Sequence, residues 1–71
     1  MANFYYFNKN LDDKGNHEVH EDGCSYMPDY KNRELIGYEA DCESAIKRAK
    51  QDTGKTNFDG CYWCCRECHS G

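Results

Sequence analysis

The sequence predicts a small α+β domain, with an N-terminal β-hairpin, one main helix and a cysteine-rich C-terminal knuckle or short helix, stapled by metal or by disulfides. Three observations predict it. An aromatic run, Phe4-Tyr5-Tyr6-Phe7, is followed by turn residues. An amphipathic stretch carries apolar side chains at Cys42, Ala45, Ile46 and Ala49. The tail Cys61-Tyr62-Trp63-Cys64-Cys65-Arg66-Glu67-Cys68-His69 gathers four of the six cysteines. At 71 residues the chain makes one domain, residues 1–71, and a chain of this size buries only about 60% of its unfolded surface. The branched aliphatics are only Leu11, Val19, Leu35, Ile36 and Ile46, so the thin core calls for covalent or metal staples.

The aromatic run favours a strand over residues 3–8 through the β propensity of Phe and Tyr. Residues 10–16 then supply turn chemistry, with Gly15 or Asn16 able to take a positive φ. The returning strand is His17-Glu18-Val19-His20, and its period of two puts His17 and Val19 on one face and Glu18 and His20 on the other. Val19 has the best claim to the core. The two histidines therefore cannot share a metal on a regular strand, and His17 reads as a partly exposed strand residue. His20 leads into Glu21-Asp22-Gly23-Cys24, a His-x3-Cys spacing across a glycine that can bend an imidazole and a thiol onto one ion.

Residues 25–34 read as loop, because Met27-Pro28-Asp29 breaks any strand ladder. An extended segment follows from Leu35 to Tyr38. The helix has Asp41 as N-cap, its apolar face at i, i+3, i+4 and i+7, a Glu43/Lys47 pair and Gly54 as its stop. Cys42 sits in its first turn, placed to pack, to bridge to Cys61 or Cys64, or to bind a metal. In the tail, Cys61, Cys64, Cys65 and Cys68 also fall at i, i+3, i+4 and i+7. Four ligands on one face of so short a helix cannot surround a tetrahedral ion, so donors must come from elsewhere, and Cys24, Cys42, His17 and His20 are the candidates.

The formal net charge is −4, and Lys47, Arg48 and Lys50 form the one basic cluster, placed late in the helix where cations complement its dipole. Nucleic-acid binding is therefore disfavoured. Residues 1–10 lack the cationic start and apolar run of a secretory signal, and nothing approaches the length of a membrane span. The expectation is a cytoplasmic monomer without membrane contact. In a reducing compartment, six thiols read as metal ligands more readily than as disulfides.

The order of parts, His-x3-Cys after a hairpin strand, an extended stretch, the helix start Cys42-Glu43-Ser44-Ala45, and Gly60 followed closely by Cys-x2-Cys, resembles the N-terminal zinc-binding domain of Ada-type bacterial DNA-alkylation sensors. It is also similar to short uncharacterised bacterial proteins with an HEVH segment and a Cys-rich tail. The likeness spans residues 17–68. It implies one zinc ion, and carried over residue by residue it implies His20 and Cys24 as the first pair of ligands and Cys65 and Cys68 as the second. The Ada-type pattern ends in Gly-Tyr-Arg-Pro-Cys-x-x-Cys, whereas this chain lacks the proline and adds two cysteines. Methyl transfer is not implied, since an acidic chain offers little surface for DNA.

Three function classes follow. The favoured one is a zinc-stapled binding module, not an enzyme, whose exposed aromatics or residues 25–34 meet a protein partner. The alternative is a secreted module with its six cysteines paired as disulfides, which their even number permits. A thiol redox protein using Cys61-x2-Cys64 or Cys65-x2-Cys68 ranks third, because no helix follows these pairs to stabilise a thiolate and Glu67 stands beside them. No Ser/His/Asp arrangement or phosphate loop is present, and Glu21-Asp22 reads as a solvated turn.

Overall fold

A computed structural model describes residues 2–70, with Met1 and Gly71 of the predicted domain outside the described residues. The chain runs β1 (Asn3–Leu11), β2 (His17–Glu21), β3 (Arg33–Glu39), α1 (Cys42–Thr53) and β4 (Phe58–Gly60), with short 3-10 turns at Tyr30–Asn32 and Arg66–Cys68. The four strands make one sheet in the order β3-β1-β2-β4. β1 pairs antiparallel with both β2 and β3, and β4 lies parallel to β2. No helix among the described residues is long and apolar enough to cross a membrane.

The hairpin forms for the reasons its residues give. Asp12 Oδ1 accepts from the Lys14 and Asn16 N–H groups at 2.9 Å each, and Gly15 takes φ 80°, so the turn is closed by a carboxylate and by the residue type that tolerates a left-handed backbone. The period of two then sorts the side chains. Tyr5 and Phe7 of β1 and His17 and Val19 of β2 are buried, and the core they join also holds Ile36, Ala45, Ala49 and Phe58. The helix begins where expected, with Asp41 Oδ1 accepting from Ser44 N at 2.9 Å, and stops at Gly54, whose N–H donates to Lys50 O.

Five features differ from the sequence reading. β1 continues to Leu11, and β3 begins at Arg33, directly after the 3-10 turn. β4 is an additional strand of three residues, too short to show a period. His17 is 4% exposed rather than partly exposed: Nδ1 lies 2.8 Å from Asn8 O, and the ring packs edge-on to Phe7. The tail is a series of turns closing in a 3-10 turn, so the four cysteines do not share one helical face.

The tail can fold back onto the sheet because residue 60 has no side chain. A Cβ at Gly60 would stand 2.5 Å from Cys65 O and 2.7 Å from Cys68 Cβ, closer than packed atoms approach. Gly60→Ala is therefore expected to destabilise the fold by about 1–3 kcal/mol, the usual range for overpacking. Urea unfolding followed by far-UV circular dichroism measures this, and an unchanged midpoint would show that the tail does not pack on Gly60.

Candidate metal centre

Two loops meet at the C-terminal ends of the parallel pair β2 and β4. On the β2 side, His20 lies opposite Tyr6 in the ladder. The chain then bends through Gly23 at φ 91°, a left-handed conformation suited to glycine. Cys24 closes that bend, its N–H donating to Glu21 O at 3.0 Å. On the β4 side, the Cys61 N–H donates to Val19 O at 2.9 Å, continuing the parallel ladder one residue past the strand, and a turn closed by Cys65 N to Cys61 O at 2.9 Å brings Cys64 around.

The result is a cluster of His20, Cys24, Cys61 and Cys64, with one donor atom from each within 4.8 Å of all the others. The Sγ atoms of Cys24 and Cys61 are 3.9 Å apart. Two thiolates on one tetrahedral zinc, each near 2.3 Å from it, stand about 3.8 Å apart, so this pair already has the spacing that a shared ion requires. Backbone donors face the sulfurs: Glu21 N lies 3.3 Å from Cys64 Sγ and Trp63 N lies 3.4 Å from Cys61 Sγ. Such donors favour sulfur in its anionic form. The cluster can hold a metal ion.

Of the ligands expected from sequence, His20 and Cys24 are in this cluster. Cys65 and Cys68 are not among its four donors. Cys65 is fully buried in the hydrophobic core, and Cys68 is at disulfide distance from Cys42, with Cα atoms 6.6 Å apart. Cys61 and Cys64 take their places because β4 delivers Cys61 beside Val19 and His20. A signal was present in the sequence, Gly60-Cys61-x-x-Cys64 directly after Phe58-Asp59, but it places these two cysteines beside His20 only once those residues are known to form a strand against β2. Cys42 finds its partner in Cys68 rather than in Cys61 or Cys64.

The electrostatics fit a site completed by a cation. Burial pushes the Cys61 thiol up to about 12, against partial relief from the backbone N–H groups of Cys64 and Trp63. Burial and then the Cys64 thiol raise Cys24, while Cys64 is raised first by its contact with the Cys65 thiol and then by burial. Burial lowers His20. Without a metal, the cluster is thus three protonated thiols and a neutral imidazole. His20 is 1% exposed, and neither ring nitrogen makes a hydrogen bond among the described residues, an uncommon state for a buried polar group. A divalent cation would release the thiol protons and occupy one of those nitrogens.

The surface around the cluster is aromatic. Tyr26, two residues after Cys24, stacks on Trp63, which lies between Cys61 and Cys64, with ring centroids 5.2 Å apart and an interplanar angle of 14°. Tyr62 meets Trp63 edge-on and carries the Arg66 guanidinium 4.8 Å above its ring. The two loops that carry the cysteines are therefore also joined by exposed rings, and Trp63 fluorescence reports on whether they stay together.

These shifts set the pH dependence of the metal-free protein. The His20 pKa is lowered from 6.5 in the fold, so its contribution is present above about pH 6.5 and is lost as pH falls below it, where the unfolded chain takes up the proton first. Cys61 and Tyr5 are raised from 9.0 and 10.0 to about 12, so their contribution is intact below about pH 9 and is lost as pH rises through about 12. Denaturant midpoints measured with chelator present should form a plateau between about pH 6.5 and 9 and fall on both sides. Constant midpoints from pH 9 to 12 would contradict the burial of Cys61 and Tyr5.

No protein-family model, curated protein or solved structure matches the chain, so the reading of this site rests on its geometry and its donor chemistry.

Proposed function

We propose that the protein is a small binding module stapled by one zinc ion, held by His20, Cys24, Cys61 and Cys64. The observation that carries the proposal is the buried His20, both of its ring nitrogens without a hydrogen bond among the described residues, beside three thiols at ligand spacing. Three sulfurs and an imidazole nitrogen are the donor set of a closed, structural zinc site, in which the protein fills every position and leaves none for substrate. The raised thiols support the same reading over redox catalysis, which needs a stabilised thiolate. Such an ion adds free energy of folding where the aliphatic core is thin. The exposed rings of Tyr26, Tyr62 and Trp63 are the surface offered to a protein partner, while the net charge of −4 argues against nucleic acid.

A second reading, the disulfide-stapled module, has its own support in the Cys42 and Cys68 pair and in the closeness of Cys24 to Cys61. A bonded Cys42–Cys68 pair suits an oxidising compartment and free zinc thiolates a reducing one. Native mass spectrometry of protein purified without chelator separates the two. The zinc reading predicts one bound ion, removed by chelator with a fall in the denaturant midpoint, on a chain two hydrogens lighter than the reduced form for the Cys42–Cys68 bond. A metal-free chain six hydrogens lighter, with all six cysteines paired, would establish the disulfide module instead.

A further inference from the structure

We propose that Glu18 positions His20 for the metal: its carboxylate accepts the Nε2–H of the imidazole, leaving Nδ1 as the nitrogen that meets the ion. This rests on the reading of the cluster as a metal centre. Glu18 and His20 are two residues apart on β2 and share one face of the strand. Glu18 Oε1 lies 3.3 Å from His20 Nε2, the ring being 1% exposed and the carboxylate side chain 34% exposed. The contact has the distance of a hydrogen bond without its alignment, since neither ring nitrogen is paired among the described residues. A small rotation of the ring on binding the ion would supply that alignment.

The surroundings hold both groups in place. β2 is an inner strand with a neighbour on each side, so His20 is fixed opposite Tyr6 of β1 and Glu18 opposite Asp59 of β4. Asp59 is itself engaged, accepting from the Ser70 N–H at 2.8 Å and lying 3.5 Å from His69 Nδ1. Asp59 thus has partners of its own, and the contact of Glu18 is with the buried His20. An imidazole that coordinates through one nitrogen must carry its proton on the other, and in a buried site that N–H needs an acceptor. A carboxylate in that position fixes the tautomer and orients the ring, and losing it commonly weakens metal binding about 10–100-fold.

The test compares zinc affinity, by competition with a chromophoric chelator, in the wild-type chain, Glu18→Ala, Glu18→Gln and the control Glu43→Gln on the exposed first turn of α1. Glu18→Ala is expected to bind zinc about 10–100-fold more weakly. Glu18→Gln, which keeps an acceptor without the charge, should fall between, and Glu43→Gln should match wild type. Long-range 1H–15N spectra of the zinc-loaded wild type should show the proton on His20 Nε2 and the metal on Nδ1, a readout that does not depend on any variant folding. Coordination through Nε2, or a Glu18→Ala affinity within about threefold of wild type, would overturn the assignment of Glu18 while leaving the metal centre standing. A wild-type chain that binds no zinc would overturn the metal reading itself, and this inference with it.

Discussion

The parallel pairing of β2 with β4 is the constraint on which the rest of the site depends. Three residues, Phe58–Gly60, register against His17, Glu18 and Val19, and the ladder runs on through Cys61 N to Val19 O at 2.9 Å. That register sets a thiol at the end of one strand beside an imidazole at the end of the next, although they are far apart in sequence. A shift of one residue would turn Cys61 to the other face. The long crossover through α1 is what permits parallel pairing, and α1 in turn carries Cys42 to the place where the tail can meet it through Cys68. The helix thus contributes one staple directly and makes the other possible by its route.

The two staples act on different parts of the chain. Cys42 and Cys68 are 26 residues apart, and closing a loop of that size restricts the unfolded chain, with about 2–5 kcal/mol lost when a native disulfide is removed from a small domain. The His/Cys cluster instead brings the turn after β2 against the turn after β4, which an ion held there would tie together. Between them sits Cys65, fully buried and packed as an apolar side chain in the core. Six cysteines therefore serve three roles in one small domain: a linked pair, three candidate ligands and one hydrophobe.

Local signals in the sequence were sufficient for the hairpin and the helix. Asp12, Gly15, Asp41 and Gly54 act on residues within four positions of themselves, and the alternation along His17-Glu18-Val19-His20 correctly separates the core face from the face that carries His20. The outcome differs where the deciding contact is remote. Phe58-Asp59-Gly60 is too short to show a period and becomes a strand only because β2 offers it an edge. The even i, i+3, i+4, i+7 spacing of the tail cysteines suggests a common face, but the tail turns back at Gly60 and sends Cys61 and Cys64 to the cluster, Cys65 to the core and Cys68 to Cys42. That His20 and Cys24 come together was legible because a single bend at Gly23 joins them; the other two cysteines of the cluster depend on the sheet's topology.

The central claim is the identity of the four ligands, and heteronuclear 113Cd–1H correlation on cadmium-substituted protein tests it most directly, because scalar coupling passes only through bonds to the metal. The account predicts cross-peaks from one cadmium to the β-protons of Cys24, Cys61 and Cys64 and to the ring of His20. Cross-peaks to the β-protons of Cys65 or Cys68, or a spectrum with no coupling to His20, would contradict it.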